Sequence, residues 1–240
     1  MVRPVTSIST TTPNFGVLDN AMWQSVTGPH LHLSEGTGRV RRYLPQISPF
    51  VGIGELSDPQ AWRDLAVLVG PGQDVALSGE IESLPDGWTV VTSGPGVQMV
   101  ATGALKPRPD PEAVVLGADD VDDMLALIER TKPGPFNSET YRLGTYLGFR
   151  HEGRLIAMAG ERLHPPGWTE ISAVCTDAEF RGHGLATRLV LAVADGIYAR
   201  GETPFLHASA TNTKAIELYK HLGFALRTHV TFTVVRSPAL

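Results

Sequence analysis

The stretch FRGHGLATR, residues 180–188, constrains this chain more than any other. An arginine precedes two glycines that bracket a histidine, and a small residue then opens a run of helical character. Glycines so placed hold the backbone open, while a helix start aims unpaired N–H groups and a partial positive charge at the same point. A phosphate is the ligand that such a loop suits. The segment before it, TEISAVCT (169–176), reads as a strand, and the helix after it runs to about Arg200. Strands and helices alternate on both sides, which reads as an α/β fold.

Two spacings compete within the loop. Read as G-x-G-x-x-T over 182–187, it approaches a dinucleotide fingerprint. Thr187 then stands where a third glycine is needed, and the next strand, TPFLHAS (203–209), ends in His-Ala-Ser where a ribose-binding carboxylate is required. Read as R-x-x-G-x-A, from Arg181 through Gly184 to Ala186, small residues let a pyrophosphate lie against the main chain. Successive N–H groups from about Gly182 to Thr187 would converge on it. Arg181 and Arg188 are near in sequence, with a solvated role open to both.

The clearest break in the chain is KPRPDPE (106–112), an extended linker in which prolines alternate with charged residues. It divides an N-terminal α/β lobe (17–105) from a C-terminal domain (113–240), and residues 1–16, rich in Thr, Ser and Pro, read as a loose arm. In the C-terminal part a strand at 113–116 leads to a helix from Asp119–Asp120 through Arg130, broken by TKPGPF (131–136). A second helix over SETYRLGTYLG (138–148) and two strands around a Glu-Gly turn follow. TNTKAIELYKHLGF (211–224) is a helix between Asn212 and Gly223, and ALRTHVTFTVV (225–235) alternates like a strand. In the N-terminal lobe, 48–69 reads as strand and helix, with strands near 74–80 and 88–93. That order loosely repeats the start of the C-terminal domain, as a degenerate half-repeat would, and an unrelated cap is the plainer alternative.

Charge narrows the partners. The net charge is −5 without a lysine or arginine stripe, which argues against nucleic acid and anionic membranes and leans weakly towards cationic substrates. No apolar run reaches 18 residues, so no membrane span is expected, and the cytoplasm is the expected compartment. The single cysteine, Cys175, allows no intrachain disulfide. His30 and His32 have an H-x-H spacing but no identifiable third ligand, so no metal is expected.

TEISAVCTDAEFRGHGLATRLV followed by NTKAIELYKHLGF resembles the acyl-CoA-binding core of the GNAT superfamily, the acetyl-CoA-dependent N-acetyltransferases, over about residues 112–236. RLIAMAGERL and the N-terminal extension resemble the branch that includes the glycine N-acyltransferases. The resemblance implies a mixed, mostly antiparallel twisted sheet flanked by helices, with acetyl-CoA as acyl donor. It implies a pyrophosphate held by Arg181, Gly182, His183, Gly184, Leu185, Ala186 and Thr187, and a pantetheine arm paired along Val174, Cys175 and Thr176. Asn212 matches a cofactor-contacting asparagine, Tyr219 a tyrosine beside the thioester sulfur, and TKPGPF the acceptor-binding loop.

The chemistry so implied has three needs. An alkyl amine with a pKa of about 10 must lose a proton, the tetrahedral oxyanion needs donors, and the thiolate needs an acid. Tyr219 is the candidate acid, with an ordinary core tyrosine as the alternative. A strand amide near Val174 is the candidate oxyanion donor. Glu170 is the candidate base, matching the histone-acetyltransferase glutamate in strand and spacing. Glu161, across the ERLHPPGWTE turn, is expected to face it and raise one of the two pKa values, or else the pair flanks a hairpin. Cys175 reads as a small core residue beside the cofactor. The reading is direct acyl transfer in a ternary complex to a small-molecule, peptide or protein amine. A non-catalytic acyl-CoA sensor is the alternative.

Overall fold

The structure, a computed structural model, describes residues 14–81 and 83–239. The arm expected over residues 1–16 lies, as far as residue 13, outside the described part. From Asn14 a 3-10 segment (Phe15–Asn20) leads into α1 (Ala21–Thr27), where the Asn20 side chain accepts from the Trp23 N–H at 3.3 Å. Three short strands, β1 (Ser34–Gly36), β2 (Val40–Tyr43) and β3 (Val51–Ile53), form a small antiparallel sheet. α2 (Pro59–Val69) begins as Ser-Asp-Pro predicts: Asp58 accepts from the Gln60 N–H at 2.8 Å and Pro59 fills the first turn. Its face of Ala61, Trp62, Leu65 and Val69 is buried. β4 (Asp74–Ser78) and β5 (Thr89–Ala101) follow, the latter running eight residues past the strand expected near 88–93.

Beyond the linker come β6 (Val114–Leu116) and α3 (Val121–Thr131). The helix expected over 138–148 is not formed. A single 3-10 turn at Thr140–Leu143 ends at Gly144, and Tyr146 already starts β7 (Tyr146–His151). The physical reason lies across the sheet, in β8 (Arg154–Glu161). Gly160 opposes Tyr146, and a Cβ there would fall 2.3 Å from the tyrosine ring, so the glycine makes room for a wholly buried aromatic. Between β7 and β8, Glu152 and Gly153 both have positive φ (49° and 82°), the two-residue turn that suits a hairpin. β9 (Trp168–Thr176), α4 (Leu185–Ala199), β10 (Thr203–Ser209), α5 (Thr213–Leu222) and β11 (Phe224–Arg236) complete the chain. Asn212 caps α5 and Gly223, at φ 105°, ends it, as the sequence predicts.

Eight strands make one sheet in the order β4-β11-β5-β10-β9-β8-β7-β6. Every neighbouring pair is antiparallel except β9 with β10. This is the expected mixed, mostly antiparallel sheet flanked by helices. Alternation along β8 places the helices: Ala157 and Ala159 pack with α4, while Met158 between them joins Met124 and Leu127 of α3 on the other face. β5 lies between β10 and β11, so a strand from before the linker completes the sheet of the segment after it. The linker itself packs on α4. Arg188 donates to Asp110 at 2.7 and 2.8 Å and to Glu112 at 2.6 Å, with its guanidinium 4.3 Å from the Phe149 ring centre. Among the described residues no helix is long and apolar enough to cross a membrane.

His30 is buried, its Nδ1 2.8 Å from the Tyr43 hydroxyl and its ring 4.7 Å from that of His164. His32 is exposed. Burial, and then the neighbouring His164, pull the His30 pKa from 6.5 down to about 3. The unfolded chain therefore takes up a proton that the folded one refuses. Stability is complete above about pH 6.5 and falls towards pH 3 by roughly 1.4 kcal/mol per unit. Urea unfolding at stepped pH should show this slope, and His30→Gln should flatten it.

Candidate active site

A cleft of about 870 Å³ opens where two strands part. β9 and β10 pair only from Trp168 to Ile171 and Thr203 to Leu206, and then diverge. The Ser172–Thr176 edge of β9 is left without a strand partner on that side. A one-residue bulge assists the opening: three steps along β9, from Ser172 to Cys175, match two along β8, and Ala173 takes the left-handed φ of 52°. Beside this edge the Thr176 hydroxyl is buried without a partner.

The loop 180–187 closes one end. Gly182 and Gly184 have φ of 83° and 74°, and Gly184 is the N-cap of α4. A Cβ built on either glycine would meet no protein atom within 4 Å, so the main chain here faces open space. With the start of a fifteen-residue helix behind it, the loop forms a backbone cradle of the geometry that suits an anion. Arg181 is exposed at its edge and Arg188, held by the linker, is not part of it.

Of the residues expected from the sequence, Val174, Cys175, Thr176, Arg181, Gly182, Gly184, Leu185, Ala186, Thr187, Asn212 and Tyr219 all line the cleft. His183 does not; its Nδ1 lies 3.2 Å from the Phe180 carbonyl. The Asn212 Oδ1 accepts from the Ala215 N–H at 3.2 Å. Tyr219 packs against Phe224, and burial raises its pKa to about 12, so the phenol stays protonated. The ring borders the cleft. Burial likewise lifts the Cys175 thiol to about 11, leaving a neutral thiol among the α3 core residues.

The two glutamates are placed otherwise than expected. Glu161 pairs with Ile171 in register, so Glu161 and Ile171 share one face of the sheet and Glu170 has the other. The carboxylates therefore do not face each other. Glu161 accepts from Arg200 at 2.9 Å, outside the cleft. Glu170 is wholly buried behind the cleft wall, accepting from Arg162 at 2.8 and 2.5 Å and bonded at 2.7 Å to Nδ1 of His207. Burial opposes its charge, but Arg162 and His207 outweigh burial and hold its pKa down at about 2. Neither carboxylate is free to take a proton in the cleft. Arg162 and His207 are themselves wall residues that sequence spacing does not single out.

The wall opposite the loop is also new. Phe50, Ala76, Leu77 and Thr92–Pro95 come from the N-terminal half, Phe232–Val234 from β11, and Thr131–Pro135 from the expected acceptor loop. No motif marks the first two groups; the fold alone assembles them.

With this geometry in view, the comparisons are decisive at the level of family. The model of the FR47-like protein family matches residues 146–233. A GNAT-family protein of Novosphingobium aromaticivorans, described as an acetyltransferase, is 41% identical over 92% of this chain and 99% of its own, with a TM-score of 0.85. The chain belongs to the GNAT family. A GCN5-related N-acetyltransferase from Kribbella flavida shares the fold at 16% identity, TM-score 0.63, over 96% of this chain and 98% of that one. No curated protein matches the chain. Membership of the GNAT family supports acyl transfer as the general chemistry.

Proposed function

We propose that this protein is an acyl-CoA-dependent N-acyltransferase that passes an acetyl or other short acyl group directly to an amine, without an acyl-enzyme. The observation that carries the reading is the convergence, in one cleft, of the backbone cradle at 181–187, the open edge of β9 and the protonated Tyr219 phenol. The donor's pyrophosphate fits the cradle because both glycines leave its space clear. Its pantetheine arm would run along Val174–Thr176, with Asn212 alongside.

In the reaction the amine lone pair attacks the thioester carbonyl, forming the C–N bond and an oxyanion. A β9 N–H near Val174 would hold that oxyanion. The C–S bond would then break, with the leaving sulfur taking the Tyr219 proton, which the high phenol pKa keeps in place until needed. The nitrogen, made acidic by the new C–N bond, would give up its extra proton to restore the phenol, leaving the amide and the free thiol. Glu170 acts by fixing Arg162 and His207 rather than as the base. The N-terminal half would supply part of the acceptor wall, through Phe50, Ala76, Leu77 and Thr92–Pro95.

Thiol release from acetyl-CoA across an amine panel tests the proposal. Tight acetyl-CoA binding with no turnover of any amine would identify a sensor instead. Tyr219→Phe is expected to lower kcat by about a hundredfold, with little change in acetyl-CoA affinity. Weaker binding at unchanged kcat would remove Tyr219 from the acid role.

A further inference from the structure

We propose that Lys132 is a self-acetylation site: with acetyl-CoA bound and no amine in the cleft, its side-chain nitrogen takes the acyl group of the donor held by the same chain. This rests on the acyl-transfer reading above and adds to it an acceptor that the chain itself carries.

The chain has four lysines, Lys106, Lys132, Lys214 and Lys220, and of these Lys132 alone lines the cleft. Lys106 donates to the Gly103 carbonyl at 3.0 Å and Lys220 to Glu217 at 2.9 Å, while Lys214 stands exposed on the first turn of α5. Lys132 is exposed and enters no salt bridge among the described residues.

Backbone geometry sets its place. Lys132 is the C-cap of α3, its N–H donating to the Ile128 carbonyl at 2.7 Å. It holds a left-handed φ of 48°, a conformation that glycine or asparagine takes at less cost. Pro133 follows, with its fixed φ, and stiffens the exit. A long side chain kept at such a position on a cleft wall carries a cost that its use there would offset. One residue earlier, the Thr131 side chain lies beside the Cys175 thiol of β9. Cys175 follows Val174, the neighbourhood of the proposed oxyanion donor. The root of the lysine is therefore tied to the strand where the thioester would lie, and its flexible four-carbon stem can search the space between.

The step balances with the donor alone. Exposure lets the ammonium lose its proton to water. The Nζ lone pair attacks the thioester carbonyl carbon and the C–N bond forms. The C–S bond breaks, the sulfur leaves with the Tyr219 proton, and the extra proton on nitrogen restores the phenol. The products are Nζ-acetyl-lysine and free CoA. The change removes one of three lysine and arginine cations lining the cleft, the others being Arg162 and Arg181. It also places a neutral amide in the expected acceptor loop.

Peptide mapping by mass spectrometry tests the assignment on the full chain incubated with acetyl-CoA alone. Lys132 is expected to gain acetyl at least about tenfold faster than any of the other three lysines, a small part of what holding two reactants together can supply. Excess free CoA, which competes for the donor site, should suppress the label at Lys132 and leave the slow chemical labelling of the others unchanged. Diluting the chain should not alter the rate, as transfer within one molecule requires. Equal labelling of all four lysines, a Lys132 label that free CoA does not suppress, or a rate that falls on dilution overturns the proposal. So does an unlabelled Lys132 in a chain whose Tm acetyl-CoA raises. If acetyl-CoA gives no thermal protection, the acyl-transfer reading itself fails and the proposal with it, a result that the Tm shows before any label is read.

Discussion

Glu170→Gln is expected to cost about 3–5 kcal/mol of folding stability, the range for removing one partner of a buried ion pair. Glu170 is 0% exposed and the Arg162 side chain 17%, so the guanidinium has little water to turn to when the carboxylate is lost. Nδ1–H of His207 would compete with it for a single amide oxygen. The Arg162 guanidinium also lies 5.1 Å from the Phe50 ring centre, which ties the loss to the cleft wall. Denaturant midpoints would measure the effect. Replacing Arg162 and Glu170 together by apolar residues of similar volume should be far milder than either change alone. A pH consequence follows with its own window. The carboxyl pKa falls from an ordinary 4.5 to about 2 on folding, so this contribution is complete above about pH 4.5 and lost as the pH drops towards 2. The His30 loss begins higher, near 6.5, and the two should be separable in an acid titration.

Gly184→Val is expected to weaken acetyl-CoA binding by about a hundredfold, or about 2.7 kcal/mol, comparable to losing one or two hydrogen bonds to a charged group. At φ 74° a β-branched residue is strained by roughly 1–2 kcal/mol, and its side chain projects into the cradle. No protein atom lies within 4 Å of the added Cβ, so the steric conflict is with the ligand. Gly167→Val provides the control. Gly167 has φ 81° and equally open surroundings but lies away from the cleft, so the variant should share the strain and leave binding unchanged. Calorimetric titration with acetyl-CoA distinguishes them.

What the sequence discloses depends on how local the cause is. The cradle at 180–187, the Asn212 and Gly223 caps and the Glu152–Gly153 turn are written in consecutive residues, and each forms where expected. α1 and β1–β3 are three to seven residues long, too short for a periodic signal, and owe their form to packing. The helix expected over 138–148 gives way because Tyr146 needs Gly160, fourteen positions later. The same holds for the site. Its cradle side is legible, whereas the opposite wall gathers residues from 50 to 234 that only the fold brings together. The expected Glu161–Glu170 confrontation depended on register, which a turn sequence alone does not specify.

The position of β5 carries a consequence for how the molecule comes into being. β11 is flanked by β4 and β5, so residues 224–236 pair with residues 74–78 and 89–101, more than a hundred positions earlier. The segment matched by the family model, 146–233, is thus interrupted in space by a strand from outside it. Contacts this distant in sequence slow folding, because a long loop must close before they form. On the ribosome, β4 and β5 emerge early yet wait, with unpaired edges, for β10 and β11, the last two strands described. The time between those two events is when this chain is most exposed to aggregation, and when a chaperone would matter most.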